Sequence, residues 1–156
     1  MTQIKSPMDR ARAFTLFTEA CSLMIKAAES SSSITEIQND REAENIANQS
    51  KILLEKSRSI FDQLKSEVWP EARKELSRFE VCLSVFEEMI DNWKTWRTYL
   101  IKTDVSDRNF IGRNQHFVRK NRQLGAKGDR IYADNVPNLI RVFGITNAEF
   151  EKSIGM

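Results

Sequence analysis

The sequence predicts an all-α protein: a bundle of long antiparallel helices with a basic amphipathic fourth helix and a small helical C-terminal cap. Apolar residues recur at spacings of three and four through most of the chain, which is the period of an amphipathic helix. Glycine and proline are scarce, with 5 and 3 in 156 residues, and clusters of β-branched residues that would favour strands are few. We expect residues 1–103 to form a three-helix bundle core. Residues 104–156 should form the basic helix and the cap, packed on the same domain.

Capping signals bound the first two helices. Ser6 followed by Pro7 predicts a helix start, since serine is a favoured N-cap and proline suits the first helical position. The serine run at positions 30–33 predicts the end of this helix. Ser33 and Glu36 match a capping box, which predicts that the second helix begins there. The apolar stripe of the second helix consists of Ile46, Leu53, Ile60 and Leu64, with Leu54, Phe61 and Val68 beside them.

The third helix has the strongest apolar pattern in the chain. Because a residue before proline resists the helical conformation, we expect the second helix to end at Trp69 and the third to begin at Pro70. The third helix should run to Lys102 and pack antiparallel to the second. Its face is broad enough to touch two or more neighbours. The face includes Leu76, Phe79, Leu83, Phe86 and Ile90, and then Trp93, Trp96 and Tyr99, which we expect to pack against the first helix and the basic segment.

Residues 108–130, here called the basic segment, carry a local charge of about +6 within a chain whose net charge is +2. By contrast, residues 1–103 hold 15 basic and 16 acidic side chains. On a helix, the apolar residues of the segment form one row and the cations follow both margins of that row. The row is Phe110, Phe117 and Leu124, widened by Ile111 and Val118; the cations are Arg113, Lys120 and Lys127 on one margin and Arg108, Arg119 and Arg122 on the other.

Two short helices are predicted after Gly125, which should end the basic helix. Pro137 begins the first of them and Gly144 suits a left-handed C-cap. Thr146 and Glu149 form a capping box for the second. This pair has the outline of a helix-turn-helix. Its second helix is acidic, however, so a helical corner closing the core is the favoured interpretation.

Clustered cations are typical of a surface that binds a polyanion. We therefore expect a non-enzymatic accessory or assembly subunit that contacts the backbone of RNA or DNA without reading its sequence. The residues expected to make these contacts are Arg108, Arg113, Arg119, Lys120, Arg122 and Lys127, with Arg130 a lesser candidate because Asp129 adjoins it.

Two alternatives use the same cations differently. One is a protein–protein interaction module, an inhibitor or adaptor that binds an acidic partner surface. The other is a plain solvated face, or one whose cations pair within the chain, with Glu87, Glu88 and Asp91 as candidate partners. A homodimer or larger assembly also stays open, since long helices with broad apolar faces often dimerise.

His116 supplies the third functional hypothesis. An arginine followed by a histidine late in an all-helical chain resembles the motif of HEPN-type ribonucleases, in which the two side chains meet on one helical face. The resemblance would imply RNA cleavage that depends on His116. It covers only this short stretch, and neither Arg108 nor Arg113 has the longer spacing usual in that family.

Several classes of function are not indicated. No cofactor is implied, and Cys21, Cys82 and His116 lack the spacing of zinc ligands. The N-terminus has no apolar core of a signal peptide, and no apolar run is long enough to span a bilayer. We expect the two cysteines to be buried free thiols and the protein to be cytoplasmic, without a membrane partner.

Overall fold

The computed structural model describes residues 8–154, and across that range it contains six α-helices and no strand. The predicted all-α bundle is confirmed. The helices are α1 (Arg10–Ser31), α2 (Asp40–Glu67), α3 (Pro70–Phe79), α4 (Val81–Lys102), α5 (Phe110–Phe143) and α6 (Asn147–Ser153), with a 3-10 turn at Ile34–Glu36. Of the helices described, none is long and apolar enough to cross a membrane.

The first helix ends where the serine run predicted, at Ser31. Its predicted start at Ser6 and Pro7 lies outside the described residues. Inside them, α1 begins at Arg10, and the Asp9 carboxylate accepts a hydrogen bond of 3.0 Å from the backbone N–H of Ala11. This N-cap satisfies a donor that the first helical turn leaves unpaired.

The predicted start of the second helix at Ser33 is wrong. Ser33 makes no side-chain cap, and residues 34–36 form only a 3-10 turn. The helix begins instead at Asp40, where the Asn39 side chain accepts a hydrogen bond of 3.0 Å from the N–H of Glu42.

A distant arginine explains this difference. Arg97 on α4 is 7% exposed and donates to the backbone carbonyls of Ile37 and Gln38 at 2.9 and 3.2 Å. Its guanidinium also lies 2.8 Å from the Asp40 carboxylate. Because these carbonyls are bound by Arg97, the chain is held extended before α2 rather than continuing the helix predicted from the local capping box.

Ion pairs show that α2 runs antiparallel to α4, as predicted for the second and third helices. Residue numbers rise along α2 while the residue numbers of the side chains that pair with it fall. The pairs are Asp40–Arg97, Glu44–Lys94, Lys51–Asp91, Arg58–Glu87 and Lys65–Glu80.

The predicted third helix is divided at Glu80. Pro70 begins α3 as expected. At Glu80 the ψ angle is −11° and the N–H of Leu83 donates to the Glu80 carbonyl, a three-residue bond in place of the α-helical four. The two helices that result, α3 and α4, replace the continuous helix expected through Lys102.

The helix predicted to end at Gly125 instead runs for 34 residues to Phe143. It passes through three glycines and through Pro137, which removes one backbone donor. Burial of apolar side chains, worth about 1.5–3 kcal/mol each, outweighs the cost of about 1 kcal/mol for each glycine. The buried side chains of α5 are Leu124, Val136, Leu139, Val142 and Phe143.

The core is centred on the fully buried ring of Phe17 on α1. Its ring lies 5.3 to 6.3 Å, centroid to centroid, from four others, which come from α2, α3, α5 and α6. The four are Phe61, Phe79, Phe143 and Phe150. One side chain therefore joins five helices.

The predicted apolar stripe of α2 is confirmed in part, because Leu64 and the flanking Leu54, Phe61 and Val68 are buried. Ile46, Leu53 and Ile60 are only half-buried. The buried row contains small polar residues, and the Ser57 hydroxyl donates to the Ala20 carbonyl at 2.8 Å. The buried face of α2 thus combines small side chains, which let α1 approach closely, with the fully buried Leu54, Phe61 and Leu64.

The helix caps predicted near the C-terminus, at Gly144 and Thr146, are confirmed. Gly144 has φ 69° and ψ 36°, and the N–H of Ile145 donates to the Ile140 carbonyl, a Schellman motif. The Thr146 hydroxyl accepts from the N–H of Glu149 at 3.1 Å. Because the predicted helix at Pro137 is part of α5, the outline of a separate helix-turn-helix disappears, and α6 closes the core with the buried Phe150.

Candidate nucleic-acid interface

A ladder of four aromatic rings attaches the basic segment to the bundle. Phe110 stacks on Tyr99 with centroids 5.8 Å apart, Tyr99 lies 5.4 Å from Phe117, and Phe117 lies 6.3 Å from Trp96. The rings alternate between α5 and α4. The predicted packing of the Trp96 and Tyr99 face against the basic segment is thereby confirmed.

Hydrogen bonds fix the register of the same contact. The Trp96 indole N–H donates to the Asn114 side-chain oxygen at 2.7 Å. The Asn92 amide donates to the Phe117 carbonyl at 3.2 Å, and the Tyr99 hydroxyl donates to the Phe110 carbonyl at 3.3 Å. The buried Asn92 and the two ring donors thus hold one face of α5 and leave the opposite face to solvent.

Every predicted cation of the basic segment is exposed. In the described range, no salt bridge joins any of the seven to a carboxylate within 4.0 Å. Glu87 and Asp91, the expected partners for intramolecular pairing, instead pair with Arg58 and Lys51 of α2. Glu88 pairs with none of the seven. The alternative of a cation row neutralised by the bundle is wrong for the part of the chain that the structure describes.

Arg108 differs from the prediction because it precedes α5 and does not lie on it. It follows a turn in which the carboxylates of Asp104 and Asp107 accept from the N–H groups of Ser106 and Asn109 at 2.9 and 2.8 Å. The backbone and side-chain bonds from Ser106 hold the pKa of Asp104 below its ordinary value. Arg108 extends the cationic surface from this turn.

The continuation of α5 past Gly125 adds Arg130 to the surface. Neighbours on a helix point about 100° apart, so Asp129 faces away from Arg130 despite adjoining it in sequence. Both are exposed. Arg130, expected to contribute less because Asp129 adjoins it, therefore lies on the same continuous helix as Arg113 and Lys127.

The apolar and amide residues of the segment divide between the two faces. Ile111, expected to widen the apolar row, is 71% exposed. Asn114 is occupied by Trp96 and Asn121 is half-buried, while Gln115 and Gln123 are exposed beside the cations. The solvent-exposed face of the segment therefore carries cations and side-chain amides, and the aromatic rings lie on its inner face.

His116 is exposed, with its ring edge toward Phe117 at a centroid distance of 5.8 Å. Since Arg108 lies outside the helix, only Arg113 can share a helical face with His116 in the arrangement that resembles HEPN-type ribonucleases. No group of three His, Cys, Asp or Glu side chains between residues 8 and 154 is placed to hold a metal ion.

No protein-family model, curated protein or solved structure matches this chain. The fold places it in the class of all-α helical bundles, and its most distinctive surface is the cationic face of α5.

Proposed function

We propose that this protein is a non-enzymatic accessory or assembly subunit that binds the phosphate backbone of nucleic acid through α5 and the turn before it, without reading sequence. The observation that supports the proposal is the exposure of seven cations that have no carboxylate partner in the described range. A nucleic acid releases condensed counterions when such side chains replace them, and this entropy gain drives binding.

The charge pattern of the rest of the bundle supports the same surface. Exposed and half-exposed acids of α2 and α4 pair across the helix interface with Lys51, Arg58 and Lys94. That face is electrically balanced, whereas the opposite side of α4 carries α5. A polyanion approaching the molecule would meet unbalanced positive charge chiefly at α5.

The thiols support the cytoplasm as the location we propose. Cys21 and Cys82 are both buried and free. Buried free thiols persist in a reducing compartment. Neither cysteine lies in the basic segment, so the proposed binding does not depend on their redox state.

Fluorescence anisotropy with labelled DNA and RNA, at low and at physiological salt, tests the proposal. Replacing Arg113, Lys120 and Lys127 together by Gln should weaken binding and reduce the slope of log K against log salt by up to about 3. A matched control replaces three exposed lysines on other helices, Lys26, Lys56 and Lys74, by Gln. The control removes the same charge and should change the slope by less than about 1.

Two results would overturn the proposal. One is absence of binding even at low salt, which would direct attention to an acidic protein partner for the same cations. The other is an equal loss of binding in the two triple variants, which would show that net charge rather than α5 determines the affinity.

A further inference from the structure

The aromatic rings of the basic segment, and how far they are exposed, give the first argument about the form of nucleic acid. Proteins that bind single strands stack bases on exposed aromatic side chains. Phe110 and Phe117 are instead stacked against Tyr99 and Trp96 inside the ladder. From residue 103 to residue 130, all of which the structure describes, His116 is the one exposed ring. The surface thus offers charge to phosphates and almost no stacking platform to bases.

The angular distribution of the cations gives the second argument. At 100° per residue, Arg113 and Arg122 lie about 180° apart around α5, and Arg119 lies on the solvent side about 60° from Arg122, on the same margin. Lys120 and Lys127 continue the margin of Arg113. A single strand presents one line of phosphates and would engage one margin. The two margins together match two lines of phosphates, which only a duplex presents.

The width of α5 can be compared with the major grooves of the DNA and RNA duplexes. A helix with its side chains is about 10–12 Å across, and the major groove of B-form DNA is about 12 Å wide. The major groove of A-form RNA is too narrow and deep for side chains to enter. From Arg113 to Arg130 the helix rises about 25 Å at 1.5 Å per residue. The exposed residues on its solvent side include Gln115, Ala126, Gln123, His116 and Arg130.

We infer that the nucleic acid is double-stranded DNA in the B form, with the solvent face of α5 lying along the major groove and its two cationic margins contacting the two strands. This inference rests on the proposed function. Residues of the margins set the position of the helix through phosphate contacts, which carry no sequence information.

Anisotropy titrations test the inference with three labelled probes: a DNA duplex of about 20 base pairs, the single DNA strand of the same length, and an RNA duplex of the same sequence. The three affinities are compared at physiological salt, and the DNA duplex is also titrated at several salt concentrations to give the salt slope. We expect the DNA duplex to bind at least about tenfold more tightly than either of the others. Two double variants, R113Q/K120Q and R119Q/R122Q, should each reduce the salt slope on the DNA duplex by about 2, because each removes two cations from one margin. All four residues are exposed, and glutamine is a good helix former, which circular dichroism checks.

The outcomes separate the inference from the proposed function. Equal or tighter binding of the single strand or of the RNA duplex would overturn the inference and leave the proposed function in place. A salt slope on duplex DNA that only one double variant reduces would also overturn it, since one margin would then suffice. Absence of binding to all three probes would overturn both.

Discussion

The indole of Trp96 and the ring of Phe117 lie almost parallel, with an interplanar angle of 5° and centroids 6.3 Å apart. Trp96 lies on α4 and Phe117 on α5. This stack and the bond from the indole to Asn114 orient the basic segment, because they determine which face of α5 is turned inward.

Replacing Trp96 by Ala should lower the free energy of unfolding by about 2–3 kcal/mol. This value lies below the range for a fully buried aromatic side chain, about 3–5 kcal/mol, because Trp96 is only half-buried. Trp96→Phe keeps a ring in the ladder but loses the donor to Asn114, and should cost about 1 kcal/mol. Urea unfolding measures both values. If the two variants are equally stable, the stack does not hold α5.

The position of Phe17 predicts that its truncation destabilises the protein more than truncation of Phe86, which the sequence pattern alone does not indicate. Phe17→Ala should cost about 3–5 kcal/mol, since the ring is fully buried among four others. Phe86, which the pattern of the third helix placed in the core, is half-buried, and Phe86→Ala should cost about 2 kcal/mol. Chemical unfolding of the two variants side by side checks the order. A larger loss at Phe86 would mean that the core is centred elsewhere.

Replacement by alanine should raise the stability of the protein at two of its glycines and lower it at a third. Gly125 has nothing within 4 Å of an added Cβ, and Gly128 would gain only an ordinary contact of 3.7 Å with Val85. In a continuous helix, Gly125→Ala and Gly128→Ala should each raise stability by about 0.5–1 kcal/mol.

Gly144→Ala is the matched counterexample. Its φ of +69° is strained for an L-residue, and the added Cβ would lie 3.3 Å from Arg10, so the substitution should cost about 1–2 kcal/mol. Thermal unfolding of the three single variants compares them. Destabilisation by Gly125→Ala would indicate a turn at that position and contradict the continuous α5.

The two thiols should be unreactive toward a thiol reagent at pH 8 in the folded protein. Burial raises the pKa of Cys82 to about 11, and burial, with the nearby Cys82, raises the pKa of Cys21 well above its ordinary value. Only the thiolate reacts, so the raised pKa values keep both groups protonated and unreactive at pH 8 while the protein is folded, and Cys82 should become reactive only as the pH approaches 11. Titration with and without denaturant measures this. Fast labelling of either thiol in the folded state at pH 8 would contradict their burial.

Local signals in the sequence were sufficient where one residue and its near neighbours decide the backbone. Pro70 at a helix start, Gly144 in the left-handed region and the Thr146 cap all stand as predicted. The clustering of cations in the basic segment could also be recognised from the sequence, because charge depends only on which residues are present. These features need no knowledge of the rest of the fold.

Tertiary structure decided the points at which distant residues oppose a local signal. Arg97 captures the carbonyls of Ile37 and Gln38 and so delays the start of α2, against a capping box that reads well in sequence. Packing on α3 and α4 carries α5 through Gly125, and that continuation adds Arg130 to the cationic face. The aromatic ladder turns Phe110 and Phe117 inward. A capping bond or a glycine shifts the local free energy by about 1 kcal/mol, whereas burial of several side chains contributes more, so packing prevails wherever the two disagree.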